Sequence, residues 1–145
     1  MSTISGSCLC GAVRYRTDAA PVLMGLCHCS HCRKQSGSAY SMLVAVPKGS
    51  LTVSGEPLAE YRDSGDSTLA VIRKFCPKCG SPVLAQAAIT PMWDFIKAGT
   101  LDDTAWFKPQ FHMFCEHAQA WALPDDGAPR IPRNPPPGTA STLPQ

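Results

Sequence analysis

The sequence predicts a mainly β domain that metal ions hold together, with one or two short helical turns. Three observations carry this prediction. Short apolar or alternating segments recur along the 145-residue chain, and turn residues end most of them. One segment, by contrast, has the signals of a helix at both ends. Seven of the eight cysteines fall into three tight clusters, a distribution typical of metal ligands.

The predicted strands are recognised by alternation of apolar and polar residues or by short apolar runs between turns. The first strand alternates directly after Gly11, and a Pro-Lys-Gly turn at 47–49 ends the third. We therefore expect strands at residues 12–17, 22–26, 40–46, 51–53, 59–62, 68–75, 92–98 and 111–114.

One short helix is predicted between the second and third of these strands. Ser30 is its expected N-cap, residues 31–35 form one or two turns, and Gly37 ends it. A second helical turn is expected within 102–108. Because strand-like segments far outnumber these two, the fold class is mainly β.

Length and composition favour one folded domain followed by a tail. A chain of 145 residues with 44% apolar residues is long enough to bury one core. From about residue 124 the sequence has seven prolines and few apolar residues. We expect a zinc-binding domain over 1–123 and an extended, loosely attached or disordered tail over 124–145.

Charge and hydropathy argue against a basic DNA-binding protein, a membrane protein and a secreted mini-protein. The 13 basic and 11 acidic residues give +2, too small a net charge for a nucleic-acid surface. No apolar run approaches the roughly 18 residues that span a bilayer, and the first residues show no secretory signal. We therefore expect a cytoplasmic protein with neither nucleic acid nor membrane as a partner.

The cysteines are the main functional signal. In a reducing compartment, clustered cysteines bind metal more often than they form disulfides, whereas merely buried thiols would be scattered. Thiolate pairs of this kind favour zinc over iron. The clusters are Cys8/Cys10, Cys27/Cys29/Cys32 and Cys76/Cys79, and the isolated Cys115 is interpreted as a buried thiol.

Two of the clusters are cysteine pairs closed by glycine. Cys76 and Cys79 have the C-x2-C spacing of a zinc knuckle, and Gly80 can take the positive φ that such a turn often needs. Cys8 and Cys10 form a tighter C-x-C pair. Each pair supplies half a tetrahedron, so one ion could join the two, although spacing alone also allows other pairings. Structural zinc contributes about 10–16 kcal/mol to the folding of small peptides, enough to decide whether this domain folds.

The remaining cluster has three cysteines and no second pair. Three protein ligands are typical of a catalytic zinc that keeps its fourth position for substrate. A closed site is the alternative, with a fourth ligand among Cys115, His112, His117, His28 and His31. Three thiolates make zinc a weak activator of water but suit it to bind a substrate thiol, which indicates the making or breaking of a carbon–sulfur bond.

Two basic residues follow this cluster directly. Arg33 and Lys34 could offset its negative charge or hold a substrate carboxylate, or they could be ordinary solvated charges on a short helix. Seven thiolates on two zinc ions would change the formal charge of the chain from +2 to −1. Such a change further disfavours nucleic-acid binding by charge alone.

Four motifs occur in a set order along the chain. They are GSCLCGAV at 6–13, CHCSHCRKQSG at 27–37, FCPKCGS at 75–81 and AGTLDD at 98–103. Together they resemble the glutathione-dependent formaldehyde-activating enzyme (GFA) family, also called the CENP-V/GFA domain. The resemblance extends from about residue 4 to about residue 123. The segments at 82–84 and 114–117 depart from the family's pattern, which bears on the substrate pocket more than on the metal sites.

The resemblance implies an Mss4-like β fold with two zinc ions per chain. It implies a structural site formed by Cys8, Cys10, Cys76 and Cys79. It also implies a second site at Cys27, Cys29 and Cys32, the candidate catalytic residues, where glutathione and formaldehyde would combine into S-hydroxymethylglutathione.

Two functional hypotheses follow. The first is a zinc-dependent carbon–sulfur lyase or synthase that combines a thiol, glutathione by resemblance, with formaldehyde or a related small aldehyde. The alternative is a non-catalytic module whose zinc-built scaffold carries glutathione or contacts a protein. The rate of S-hydroxymethylglutathione formation discriminates between the two, because a carrier would bind the thiol without accelerating the reaction.

Overall fold

The computed structural model describes residues 2–65 and 67–135. Within these residues the chain forms ten strands, one α-helix and three short 3-10 helices, and no helix is long and apolar enough to cross a membrane. The elements are β1 (Ile4–Ser7), β2 (Val13–Thr17), β3 (Leu23–Cys27), α1 (Ser30–Ser36), β4 (Ser41–Pro47), β5 (Thr52–Gly55), β6 (Ala59–Ser64), β7 (Ala70–Phe75), β8 (Pro82–Ala87), β9 (Trp93–Lys97) and β10 (Phe111–Met113), with 3-10 helices at Ala98–Thr100, Cys115–His117 and Ala120–Ala122. The predicted mainly β fold class is confirmed.

The strands form two sheets. One contains β1, β2 and β5, and the other has the order β10-β3-β4-β9-β8-β7-β6. In the larger sheet β10 runs parallel to β3, while the other neighbours pair antiparallel. The sheets pack against each other across the main core, to which both contribute: Ile4, Val13 and Tyr15 from the smaller sheet, and Val44, Val46 and Ile96 from the larger.

Two observed strands were not predicted from the sequence. β1 is short and rich in serine, and it needs a glycine in its middle. A Cβ atom at Gly6 would overlap the hydroxyl of Tyr15 and the carbonyl oxygen of Thr100. β8 begins at Pro82, a residue that strands accept at their first position because no ladder hydrogen bond is lost there.

The second helical turn, expected within 102–108, is not formed. That segment instead contains a single turn in which the N–H of Phe107 donates to the carbonyl oxygen of Thr104 at 3.2 Å. The nearest 3-10 helix lies earlier, at Ala98–Thr100, directly after β9. The local sequence therefore indicated a turn correctly but not its type.

Part of the proline-rich tail lies against β10. The N–H of His112 donates to the carbonyl oxygen of Pro129, and the N–H of Ile131 donates to the carbonyl oxygen of His112. Both distances are 2.8 Å. Ile131 also packs against the apolar cluster that contains Phe111. The expectation of a loosely attached tail is wrong for this stretch. Residues 136–145 lie outside the described residues, and the boundary at 123/124 stays a prediction.

Candidate metal centres

Four cysteines meet where two turns approach each other. Cys8 and Cys10 lie in the turn after β1, and Cys76 and Cys79 lie in the turn after β7. Their four sulfur atoms all lie within 4.8 Å of one another. The Sγ atoms of Cys8 and Cys10 are 3.6 Å apart, and those of Cys10 and Cys76 are 3.8 Å apart. Spacing alone had left open which cysteine clusters lie together. The structure brings the Cys8/Cys10 pair to the Cys76/Cys79 pair, as the resemblance implied.

A glycine in the left-handed conformation closes each of these turns. Gly11 has φ 78° and Gly80 has φ 76°, and apart from the adjacent residues in the chain nothing described lies within 4 Å of where their Cβ atoms would be. The reason for glycine is thus the backbone conformation rather than space. The N–H of Gly80 donates to the carbonyl oxygen of Cys76 at 2.9 Å, which folds the second pair onto one side.

Hydrogen bonds favour the thiolate form at Cys8 and Cys79. At Cys10, by contrast, a backbone hydrogen bond from Ala12 is outweighed by desolvation and the neighbouring sulfurs, which raise the pKa of the thiol to about 11. The N–H of Val13 donates to Cys8 Sγ at 3.3 Å. The Ser81 hydroxyl, 3.2 Å from Cys79 Sγ, and backbone N–H groups lower the pKa of the Cys79 thiol to about 5. Thiolate is the form that binds metal, and four such ligands fit one tetrahedral zinc ion.

The second group contains three cysteines at the junction of β3 and α1. Cys27 is the last residue of β3, Cys29 precedes the helix, and Cys32 lies in its first turn. Their sulfur atoms also lie within 4.8 Å of one another, and Cys27 and Cys32 are buried. The structure therefore brings together the three cysteines that the sequence singled out.

The helix cap differs from the prediction. The N-cap of α1 is Cys29, not Ser30, because the Cys29 sulfur accepts a hydrogen bond from the N–H of Cys32 at 3.2 Å. Gly37 ends the helix in the left-handed conformation, as predicted. Since the cap is itself a member of the cluster, helix α1 and the three sulfurs are positioned by the same local structure.

The three-cysteine group has no fourth protein ligand within residues 2–65 and 67–135. No histidine, carboxylate or further cysteine has a ligand atom within 4.8 Å of all three sulfurs. His28 Nε2 instead contacts His112 Nδ1 at 2.9 Å, and His31 Nδ1 contacts Asp63 at 2.8 Å. The candidate fourth ligands Cys115, His112, His117, His28 and His31 therefore all lie outside the group, which favours the open over the closed site.

A buried lysine lies on the same face of the large sheet as Cys27. Cys27 is paired with Ser41 across β3 and β4, and Leu43 is paired with Lys97 across β4 and β9. Residues directly opposite in a ladder share a face, and so do residues two apart in a strand. Lys97, only 6% exposed, donates from Nζ to the Ser41 hydroxyl at 2.7 Å. Its ammonium has no carboxylate partner among the described residues.

A buried arginine on β7 reaches the cluster from the other side. Arg73 is 4% exposed, and its Nη1 lies 3.7 Å from Cys32 Sγ. Its Nε donates to the Asp63 carboxylate at 3.0 Å. Burial alone would raise the pKa of Asp63, but hydrogen bonds from His31 and Arg73 hold it below its ordinary value. Arg73 therefore contacts both a carboxylate and a sulfur.

Both cations act on the Cys32 sulfur. The pKa of the Cys32 thiol lies well below its ordinary value because Cys27 and Cys29 hydrogen-bond to its sulfur and because Lys97 and Arg73 attract the thiolate. The sequence analysis named neither cation. Charged residues within strands that are mostly apolar were the available signal, but such residues do not reveal which buried group the charge faces.

Fold and geometry together define a mainly β domain with two cysteine clusters, one of four and one of three sulfurs, each able to hold a metal ion. The sequence profile described as "Glutathione-dependent formaldehyde-activating enzyme" matches residues 3–117. The chain belongs to this family, as the motifs had indicated.

Individual relatives agree with this assignment. A Halomonas elongata protein, provisionally named a glutathione-dependent formaldehyde-activating enzyme, is 31% identical over 126 residues, covering 81% of this chain and 78% of its own. An Aspergillus flavus protein with the same provisional name is 32% identical over 91 residues, covering 61% of this chain. The match spans only about half of that fungal relative, 47% of its length. A crystal structure of a Rhodobacter sphaeroides protein shares the fold, with a TM-score of 0.57 at 21% identity over 88% of this chain and 98% of that one.

Proposed function

We propose that this protein is a zinc-dependent carbon–sulfur lyase or synthase that combines glutathione with formaldehyde, or with a related small aldehyde, at the three-cysteine group. One observation carries the proposal: three sulfurs lie together without a fourth protein ligand in the described chain, while a separate group of four is complete. Three protein ligands with one position left for substrate is the arrangement of catalytic zinc, and four is that of structural zinc. Family membership supports the same substrates.

The residues of both groups fit zinc. Cys8, Cys10, Cys76 and Cys79 would hold a structural ion, and Cys27, Cys29 and Cys32 would hold a second one. A zinc ion bound by three thiolates would supply affinity for a substrate sulfur and would favour its ionised form. The unpaired state of all eight cysteines fits a reducing compartment such as the cytoplasm.

Buried cations make the three-cysteine group suitable for an anionic substrate. A zinc ion with three thiolates has a net charge of −1, and a substrate thiolate would add another negative charge in a poorly hydrated place. Burial lowers the pKa of Lys97, while the nearby Cys32 thiolate favours its charged form, and no carboxylate among the described residues competes with the sulfurs for this ammonium. Leu43, Met113 and Phe114 pack against Cys27 and Cys32 and limit the access of water. The apolar side chains raise the cost of holding a charge there, and the buried cations Lys97 and Arg73 offset that cost by attracting the thiolates.

The proposed reaction is a simple addition. The thiolate sulfur attacks the carbonyl carbon of the aldehyde, a carbon–sulfur bond forms, and the carbonyl π-electron pair moves to oxygen. That oxygen takes up one proton, so the net change is addition of S–H across C=O, and the lyase direction reverses each step. No oxidant or reductant is needed.

The test compares rates with matched cysteine variants. Formation of S-hydroxymethylglutathione from glutathione and formaldehyde is followed by NMR exchange spectroscopy, with and without protein of measured zinc content. We expect acceleration by the unmodified protein, loss of that acceleration in Cys29→Ser, and retention in Cys115→Ser. Cys115 is the matched control because it is a thiol outside both cysteine groups.

The alternative function has its own outcome in this experiment. If the protein binds glutathione but the adduct forms no faster than in buffer, the protein is a carrier or binding module, and the enzymatic proposal is wrong. X-ray absorption at the zinc edge adds an independent criterion. An unchanged sulfur coordination number on addition of glutathione would also contradict the proposal.

A further inference from the structure

A surface groove lies between helix α1 and the edge strand β6. Its volume is about 490 Å³. The helix contributes one wall and the end of the large sheet contributes the other. The residues that matter for its chemistry are His31, Lys34, Gln35, Tyr61, Asp63 and Arg73.

The floor of the groove is in contact with the three-cysteine group. Arg73 lines the groove and also places its Nη1 3.7 Å from Cys32 Sγ. Tyr61 is paired with Arg73 across β6 and β7, so both side chains are on the face of the sheet that carries the sulfurs. A ligand in the groove would thus be separated from the cluster by one guanidinium group.

The charges of the groove leave one cation without a partner. Arg73 and Asp63 neutralise each other through the 3.0 Å ion pair, and His31 is hydrogen-bonded to the same carboxylate. Lys34 is exposed and has no hydrogen-bond or ion-pair partner among the described residues. The net electrostatic preference of the groove is therefore for an anion.

Two neutral polar groups accompany this cation. Gln35 lines the groove, and its buried amide oxygen has no hydrogen-bond partner within the described chain, so a rotation of the side chain toward a ligand N–H would satisfy it. Tyr61 is 61% exposed on the opposite wall and brings a hydroxyl and an aromatic face. An unpaired cation, an unpaired acceptor and a hydroxyl are complementary to a peptide-like molecule with a carboxylate and an N–H group.

We propose that this groove binds the carboxylate-bearing, peptide-like end of the thiol substrate, with Lys34 as the residue that selects for the carboxylate. The inference rests on the proposed function for the identity of the bound molecule as a thiol. A tripeptide spans at most about 10 Å, so its carboxylate can lie at Lys34 while its sulfur extends toward the cluster. Lys34 leaves the helix on its exposed side whereas Cys32 is buried, so such a molecule would run from Lys34 across the groove and past Arg73 to reach the sulfurs.

The test separates groove binding from catalysis. S-methylglutathione keeps both carboxylates and the amides of glutathione but has no thiol, so its binding reports on the groove. Isothermal titration calorimetry is run on the unmodified two-zinc protein and on Lys34→Met, Lys34→Arg and Gln35→Leu. Lys48→Met is the matched control, because Lys48 is also an exposed lysine and lies in the turn between β4 and β5.

We expect the dissociation constant to rise about threefold to tenfold in Lys34→Met, a size typical of one charge-assisted contact near the surface, and to recover in Lys34→Arg. Gln35→Leu is expected to weaken binding to a similar extent, and Lys48→Met to leave it unchanged. In steady-state assays, the ratio of kcat/KM for glutathione to that for 2-mercaptoethanol is expected to fall in Lys34→Met.

Equal affinities in Lys34→Met and Lys48→Met, or no binding of S-methylglutathione to the unmodified protein, would overturn the groove assignment even if the protein is an active enzyme. Conversely, Lys34-dependent binding without accelerated formation of the adduct would support the groove while contradicting the enzymatic function. The two proposals can therefore fail separately.

Discussion

Around the four-cysteine group, the sulfurs accept hydrogen bonds from neutral donors such as the N–H of Val13 and the hydroxyl of Ser81. Around the three-cysteine group, two buried cations face the sulfurs instead, Arg73 and Lys97. Neutral donors suit a site whose ligands are complete, because no charge has to change there. Buried cations suit a site at which negative charge arrives and leaves.

The two groups also differ in what they join. The four-cysteine group connects the turn after β1 with the turn after β7, and so links the smaller sheet to the larger one across 65 residues between Cys10 and Cys76. The three-cysteine group connects only the end of β3 with the helix that follows it at once. Loss of the first should therefore affect the whole fold, and loss of the second should be local.

The largest expected effect comes from breaking the four-cysteine group. Cys76→Ser removes a fully buried member of this candidate metal centre, and we expect the free energy of unfolding to fall by about 5 kcal/mol or more, which leaves little folded protein. Cys29→Ser should keep the fold, because serine is itself a good N-cap for α1. Urea unfolding followed by circular dichroism, with zinc content measured in parallel, checks both expectations.

Comparable unfolding of both variants would contradict the division of roles. It would mean that the ion at Cys27, Cys29 and Cys32 is also structural, and the proposed catalytic role would lose its basis.

Local sequence patterns predicted most strands because alternation and turn residues are short-range signals. Ala59–Ser64 and Trp93–Lys97, for example, lie where the sequence indicated them. Both missed strands lack that signal: β1 has a glycine that tertiary contacts require, and β8 starts with proline. The prediction of Ser30 as N-cap was wrong because a cysteine sulfur accepts the hydrogen bond one residue earlier.

The candidate site was predictable only in part, for a related reason. The cysteine clusters are short-range motifs, so their membership could be read from spacing. The cations near the sulfurs could not be predicted from spacing, because Arg73 lies 41 residues from Cys32 in sequence. The pairing of strands in the sheet brings the two together. The sequence analysis looked to Arg33 and Lys34 because they are adjacent to the cluster, whereas the structure brings Arg73 and Lys97 to the sulfurs.

A smaller effect is expected from the ion pairs beside the two groups. Arg73→Met removes the cation of a buried pair and leaves the Asp63 carboxylate with only His31 and the N–H of Ser64, so we expect a loss of about 2 kcal/mol in the free energy of unfolding. We also expect weaker zinc retention by the three-cysteine group. Lys78→Met is the matched change beside the four-cysteine group, where Lys78 pairs with Glu56 at 3.0 Å in an exposed position.

Exposed pairs contribute little, so Lys78→Met should leave both unfolding and zinc retention unchanged. Chelator competition monitored by native mass spectrometry, together with urea unfolding, measures the two quantities. Equal and negligible effects of the two changes would show that burial of Arg73 beside the sulfurs has no energetic consequence. The contrast between charged and neutral surroundings would then carry no functional meaning.

The smallest expected effect concerns the glycine that follows each group. Gly80 and Gly37 both have positive φ, at 76° and 68°, and in both cases nothing described, apart from the adjacent residues in the chain, lies within 4 Å of where a Cβ would be. Alanine therefore introduces the same conformational strain at each position without a clash, about 1–2 kcal/mol. Because Gly80 directly follows Cys79 while Gly37 lies five residues beyond Cys32, we expect only Gly80→Ala to hasten zinc loss as well. Equal chelator kinetics in the two variants would mean that the Cys76–Cys79 turn adapts to alanine without moving its sulfurs.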